Sequence, residues 1–425
     1  MRLLFLSNLY PPTSNGGYEQ WCQEMADGLR ARGHDVVVLT SGNNQAPVQP
    51  DPAWVHRVLH MEMEFVSLVH GLHFFTSRER REQANLECLE QQVRAFQPDL
   101  IFVWGMWNLP RSLPALAERL LPGRVVYYLA DYWPILPSQH EFYWQAPAQS
   151  WFTRLPKSLL RPVALQILAR RPQPSLEFAR VIFPSTFLWD EMVRQGVKLR
   201  EARVIYGAVD TRPFVQPNGS RPMEEGQSLS LLYAGRLSPE KGIQTAIEAL
   251  EGIVHQRKNR DVKLTIAGSG EQSFVAHLHQ RVRDANLESW VTFLGSVPKT
   301  GMPDLYRRFD AVLFPSTWQE PFGRVLVEAL ASEVVVVGTA TGGAAEILQE
   351  SENGLTFAPG DAAGLADQIM RLLEQPALRR RLVENGRRTA LEKFDLSRMI
   401  AEIEAFLSSV LSQTENQPEL SRPVS

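Results

Sequence analysis

Phe314-Pro-Ser-Thr-Trp-Gln-Glu320-Pro-Phe-Gly323-Arg-Val-Leu-Val-Glu328-Ala-Leu-Ala331 is the most informative stretch of this chain. It opens on the end of an apolar strand, residues 311–314, turns, and takes on helical spacing near Phe322. Glu328 lies eight positions after Glu320. Eight residues advance a helix by two turns and roughly a quarter more, so the two carboxylates do not share a face of one helix. The spacing predicts one glutamate in the loop and the other inside the helix. The amides of Phe322, Gly323 and Arg324 are then expected at the positive end of that helix, where a ligand with hydroxyls and a negative tail would be held.

On either side of it, strand, glycine turn and helix alternate almost throughout, which predicts parallel sheets wound with helices. A second informative stretch is Leu229-Ser-Leu-Leu-Tyr-Ala-Gly235-Arg236-Leu-Ser238-Pro239-Glu240-Lys241-Gly242. It reads as a strand turning at Gly235 into a helix, with Ser238 as N-cap and Pro239 as first helical residue. Lys241 then falls in the first turn, against the helix dipole, and a bound anion would offset that cost. Arg236, Lys241 and a helix start together suit a diphosphate. The alternative is a solvated lysine and an arginine paired with a carboxylate.

Near the N-terminus, a strand at residues 3–6 leads to Tyr10-Pro-Pro-Thr-Ser-Asn-Gly16-Gly17 and a helix. Gly16 and Gly17 allow backbone to approach a phosphate closely, or form a plain turn. No Gly-x-Gly-x-x-Gly follows this strand, so a nicotinamide fingerprint is excluded. A later strand at residues 125–129 ends at Ala130-Asp131-Tyr132-Trp133. There a carboxylate and two aromatics offer hydroxyl and C–H contacts to a sugar, or Asp131 forms an Asx turn. The stretch 135–174 departs from the alternating rhythm. Residues 157–171 have the pattern of a basic amphipathic helix, read either as lying on anionic lipid or as packed on its own domain with its cations in water. Gly268-Ser-Gly270 reads as a turn. Residues 211–228, rich in proline and glycine, read as a linker between halves 1–210 and 229–395. A C-terminal helix at 396–412 is expected to pack back on the first half, with a disordered tail from Gln413.

At 425 residues, 44% hydrophobic and 21% charged, the chain suits two soluble domains. A net charge of -3 gives no reason to expect nucleic acid. Two cysteines do not make a disulfide framework, and no apolar run is long enough for a bilayer. Residues 1–7 read as a first strand rather than a signal peptide, and a cytoplasmic location is expected. There is no Asp-x-Asp and no His-Glu-x-x-His, and His70, His73, His277 and His279 have no companions at ligand spacing; no metal site is expected.

The Glu320–Glu328 stretch, with Gly-Arg-Leu-x-x-Glu-Lys-Gly from Gly235, resembles the carboxylate and phosphate motifs of the retaining, family-4 glycosyltransferases. The resemblance covers nearly the whole chain. It implies the GT-B fold, α/β with two Rossmann-like domains facing across a cleft. It also implies metal-independent transfer of a sugar from a UDP-, GDP- or ADP-sugar to a sugar, glycan or lipid-linked acceptor, with retention. By resemblance, Arg236 and Lys241 hold the diphosphate, and Glu328 binds ribose. Glu320, Phe322 and Gly323 bind the donor sugar, Gly295 and Val297 meet the base, and Gly16 and Gly17 close over the phosphates. Asp131, Tyr132 and Trp133 are the candidate acceptor residues. The family's His-Asp stands here as Ala130-Asp131, where Asp131 is expected to supply the missing contact. A sugar-nucleotide-binding protein without transfer and a nucleotide-sugar epimerase remain open.

Overall fold

A computed structural model describes residues 1–13, 16–42, 51–64, 70–148, 151–215 and 228–415. The predicted linker after Val215 and the predicted tail after Glu415 lie outside the described residues, as do Ser14 and Asn15 of the first glycine loop. The chain divides into two compact units.

The first unit comprises residues 1–184, 189–205 and 400–425. Its sheet has seven strands: β1 (Arg2–Ser7), β2 (Asp35–Ser41), β3 (Val55–Leu59), β4 (Leu100–Val103), β5 (Val125–Tyr128), β6 (Arg180–Phe183) and β7 (Glu201–Val204). They run in the order β3-β2-β1-β4-β5-β6-β7, all parallel. Leu4 sits between Val37 and Ile101. Unbroken apolar runs such as Leu-Ile-Phe-Val in β4 are buried throughout, as expected when helices cover both faces of a parallel sheet. Phe5, Phe102, Trp104 and Tyr128 stack through this core, Trp104 lying 4.6 Å from Tyr128.

The second unit comprises residues 185–188 and 206–399. Its six parallel strands are β8 (Leu229–Ala234), β9 (Val262–Ala267), β10 (Val291–Gly295), β11 (Ala311–Phe314), β12 (Val335–Gly338) and β13 (Leu355–Thr356), ordered β10-β9-β8-β11-β12-β13. In each sheet the winding reverses beside the first strand of its unit: between β1 and β4, and between β8 and β11. Loops at the carboxyl ends of such strands diverge and leave a crevice for ligand. The order therefore brings the loops after β8 and β11 together, although about eighty residues separate them in sequence.

Two expectations change. Within the stretch 135–174, helices Gln139–Gln145 and Trp151–Arg170 occupy much of the chain, so the helix predicted over 157–171 starts earlier and has a short one before it. The last helix, Leu396–Glu415, runs past Ser412. From Ile400 onward it belongs to the first unit. There Glu404 bonds Arg32 and His34 at 2.7 and 2.6 Å, and Phe406 is fully buried beneath the Arg203 guanidinium. Truncating a buried phenylalanine leaves a cavity costing about 3–5 kcal/mol. Phe406→Ala is therefore expected to unfold the first unit at markedly lower urea concentration. An unchanged midpoint would show that this helix is not part of that core.

Candidate active site

In the second unit β8 ends at Ala234, and its chain turns through Gly235 and Arg236. The turn is closely packed. A Cβ at Gly268 would lie 1.8 Å from the Gly235 carbonyl oxygen, and one at Gly270 would lie 1.9 Å from that of Leu237. The glycines of Gly268-Ser-Gly270 are thus required by backbone contact with the β8 loop, beyond the simple turn predicted.

The segment after Arg236 corrects the sequence reading. Pro239–Lys241 forms one short 3-10 turn, and the α-helix begins only at Ile243. Gly242 adopts φ +69°, and a Cβ there would fall 1.8 Å from the Pro315 carbonyl oxygen. The left-handed residue interrupts the helix, so Lys241 precedes it rather than lying in its first turn. Ser238 does not cap: its hydroxyl donates to Glu240 Oε1 at 2.6 Å. The Glu240 carboxyl is buried in part. That bond, its own backbone amide and the charges of Arg236 and Lys241 outweigh the burial and hold it below the usual range.

The break aims Lys241 across the switch point at β11. Its Nζ donates to Glu320 Oε1 at 2.6 Å, and Ser316 Oγ donates to the same oxygen at 2.7 Å. Glu320 is only 6% exposed, and these two partners satisfy its buried oxygen. The Thr317 amide donates to the Glu240 carbonyl at 2.9 Å, stitching the two loops together. From behind, Gly342 and Gly343 press on the Glu320 backbone. The Gly343 amide donates to the Glu320 carbonyl at 2.6 Å, and a Cβ at Gly342 would lie 2.5 Å from the same oxygen. Ser185 Oγ donates to the Pro321 carbonyl at 2.6 Å, and Glu346 accepts the Thr186 and Phe187 amides.

As predicted, Glu320 lies in the loop and Glu328 within the helix Arg324–Ala331. Gly323, at φ +122°, starts that helix, and Phe322 is buried edge-on to Phe394 at 5.6 Å. Glu328 accepts the Tyr306 hydroxyl at 3.1 Å and lies 4.0 Å from Arg324 Nε. Gly295 ends β10 at φ +72° in open surroundings, with Val297 just beyond it. Sequence reasoning missed Ser316, Glu240 and the Gly342-Gly343 backing. The Gly-Gly pair after a strand was the available signal.

In the first unit Gly16 and Gly17 open the helix Gly17–Ala31. The Gly16 amide donates to Glu19 Oε2 at 3.1 Å, a bond that the spacing Gly16-x-x-Glu19 signalled. The Tyr18 hydroxyl donates to the Tyr128 carbonyl, joining this helix to the end of β5. Asp131, just past β5, accepts the Trp133 amide at 3.1 Å, which is the Asx turn. Burial pushes its carboxyl up to about 7; the Trp133 amide pulls the other way, and the Glu19 charge adds to the rise. Trp133 does not offer a face to a ligand: it is 3% exposed, with its ring against Phe178 and Tyr127. Arg111 pins this corner by donating to the carbonyls of Trp133, Pro134 and Leu136.

The raised carboxyl has a measurable consequence. Between pH 4 and 7 the unfolded chain has lost the Asp131 proton while the fold still holds it, so stability falls as pH rises through that window and then levels off. Asp131→Asn keeps the acceptor for the Trp133 amide without the buried charge. Relative to the parent it is expected to gain stability from pH 4 to pH 8, on the order of 1 kcal/mol or more. Parallel pH–stability curves for the two proteins would refute this.

Comparison with known proteins accords with this arrangement. The family model "Glycosyltransferase Family 4" matches residues 15–212, and "Glycosyl transferases group 1" matches residues 221–389. The chain is 29% identical to the glycogen synthase of Mycobacterium tuberculosis over 99% of its own length and 98% of that protein. It is 32% identical to the phosphatidyl-myo-inositol mannosyltransferase of Mycobacterium leprae, over 41% of this chain and 45% of the other. Among solved structures, Anabaena HepE in complex with UDP and glucose superposes with a TM-score of 0.66 at 25% identity, covering 96% of this chain and 100% of that one. Sucrose-phosphate synthase of Thermosynechococcus elongatus shares the fold at 19% identity, with a TM-score of 0.71 over 97% and 99% of the two chains. Two adjoining models thus account for both halves of a GT-B architecture, and the chain belongs to the family-4 glycosyltransferases.

Proposed function

We propose that this glycosyltransferase moves a hexose from a nucleoside-diphosphate sugar to an acceptor hydroxyl, with retention at the anomeric carbon, in glycan, polysaccharide or glycolipid synthesis. The observation that carries the reading is the Lys241–Glu320 pair at the switch point of the second sheet, with Arg236 and Lys241 both near enough to lower the Glu240 carboxyl. The UDP and glucose held by HepE in its crystal structure favour a UDP-sugar among the UDP, GDP and ADP donors.

In this reading Arg236 and Lys241 take the diphosphate. As the C1–oxygen bond breaks, negative charge builds on the leaving group and cations already in position stabilise it. Glu320, now holding Lys241, and the amides of Phe322 and Gly323 take the donor sugar. Glu328 takes the ribose, and the backbone at Gly295 and Val297 takes the base. Gly16 and Gly17 close over the phosphates. Asp131 and Tyr132 orient the acceptor, while Trp133 acts by packing beneath them. The acceptor oxygen bonds C1 on the face that the phosphate leaves, and its proton passes to the departing phosphate oxygen. Arg236 and Lys241 supply the charge compensation, so transfer needs no metal. The acceptor is a sugar, glycan or lipid-linked hydroxyl, reached in the cytoplasm with peripheral contact at the membrane.

Lys241→Ala and Arg236→Ala are each expected to lower turnover about 10²-fold or more, by analogy with loss of an oxyanion-hole donor. Circular dichroism checks that the fold persists. Release of nucleotide from a panel of nucleotide sugars, with and without acceptors, reads the activity. Unchanged turnover in both variants removes the assigned phosphate site. Turnover is also expected to survive a strong chelator, and activity lost on chelation and restored by Mg²⁺ or Mn²⁺ overturns the metal-independent reading.

A further inference from the structure

The helix Trp151–Arg170 inverts the usual placement of its side chains. Lys157 is 8% exposed, with Nζ 4.1 Å above the Tyr143 ring and 3.4 Å from the Pro147 carbonyl. Ala164, seven residues on and on the same side, is fully buried against Phe74 and Trp144. On the opposite side Leu155, Leu159 and Val163 are 69%, 68% and 48% exposed, and Leu160 beside them is 41% exposed. Four-residue steps keep Leu155, Leu159 and Val163 on one face. A helix that buries its lysine and exposes a run of aliphatics has its outer face built for something other than water.

The charge on this helix indicates what covers it. Residues 151–170 contain no aspartate or glutamate in a chain of net charge -3. Arg154 and Arg161 are exposed on the Lys157 side of the helix, three residues before and four after it, and Arg170 and Arg171 are exposed at its end, Arg171 paired with Glu79 at 2.5 Å. Among the described residues no helix is long and apolar enough to cross a membrane. An aliphatic face in water, with cations and no acids on the rest of the helix, suits a helix lying in the headgroup region of an anionic bilayer. A small core of Phe74, Trp144 and Ala164 fixes the helix to its neighbours, so the face is already formed before contact.

We propose that the Leu155-Leu159-Leu160-Val163 face docks the first unit on an anionic lipid surface. This gives the membrane contact of the proposed function a definite site, and it differs from the basic amphipathic face predicted for residues 157–171, since Lys157 points inward. The proposal rests on that reading only for its biological setting. Vesicle binding is measured without donor or acceptor, so its failure is separable from failure of the transferase assignment.

The test is co-sedimentation of the whole chain with phosphatidylglycerol-containing vesicles and with phosphatidylcholine vesicles. The parent is expected to bind the first and not the second, and to be released by salt. Leu155→Ser/Leu159→Ser is expected to bind at least about tenfold more weakly at the same melting temperature, because both side chains stand in water in the free protein. Arg154→Gln/Arg161→Gln provides a second variant that leaves the apolar face intact, with a similar loss expected from two surface cations. Binding by both double variants equal to the parent, or no binding by the parent, overturns the proposal. Concentration-dependent dimerisation of the parent, lost in Leu155→Ser/Leu159→Ser and without vesicle binding, also overturns it and assigns the face to a second copy of the chain.

Discussion

The candidate site of the second unit is built around one interaction, the 2.6 Å ion pair between Lys241 and Glu320. It bridges the two loops that the strand order forces together. Glu320 is nearly inaccessible while Lys241 keeps a quarter of its side chain in solvent, so the pair is buried on one side and reachable on the other. Removing one partner from such a pair strands the other charge, which costs far more than the pair contributes. The same asymmetry suits a binding site. In the proposed function, an arriving diphosphate meets a cation already held in place and competes with a carboxylate for it.

The pair forms only because backbone approaches backbone closely around it. Gly242 lies against the Pro315 carbonyl, Gly342 and Gly343 against Glu320 and Pro321, and Gly268 and Gly270 against the β8 loop. A methyl group at any of these points would meet main-chain atoms at 2.5 Å or less, and main chain yields little. The carboxylate is therefore positioned by backbone packing from two sides, with Ser316 setting its orientation.

The first unit holds its strand-end loops by a different device, side chains that bond remote main chain. Asn85 exchanges bonds with the backbone of His60 and Asn108 with that of Met63, both after β3, and Arg111 ties down the corner after β5. Two carboxyls in this region are pushed towards their neutral forms. Burial raises Glu62 to about 7 against the pull of the Gln139 amide, much as it raises Asp131. Neutral carboxyls donate as well as accept hydrogen bonds, which suits contact with hydroxyl-bearing ligands.

The order of amino acids was enough to establish the parallel sheets, because a strand covered on both faces must be apolar at successive positions and this is visible locally. It was also enough to place Glu320 in a loop and Glu328 in a helix, because the spacing excludes a shared face. Where side chains point was settled by neighbours distant in the chain. The helix start moved from Pro239 to Ile243 because Gly242 must pass under the Pro315 carbonyl, a contact across about seventy residues. Trp133 turned inward because Phe178 and Tyr127 offered it a core, and Lys157 because Tyr143 offered its ring. The segment 185–188 lies between stretches of the first unit yet packs in the second, where Pro321 and Glu346 satisfy its hydroxyl and amides. Periodicity reports which residues avoid water in an element. Only the folded neighbours determine which partner each residue meets, because those contacts join positions that no local pattern connects.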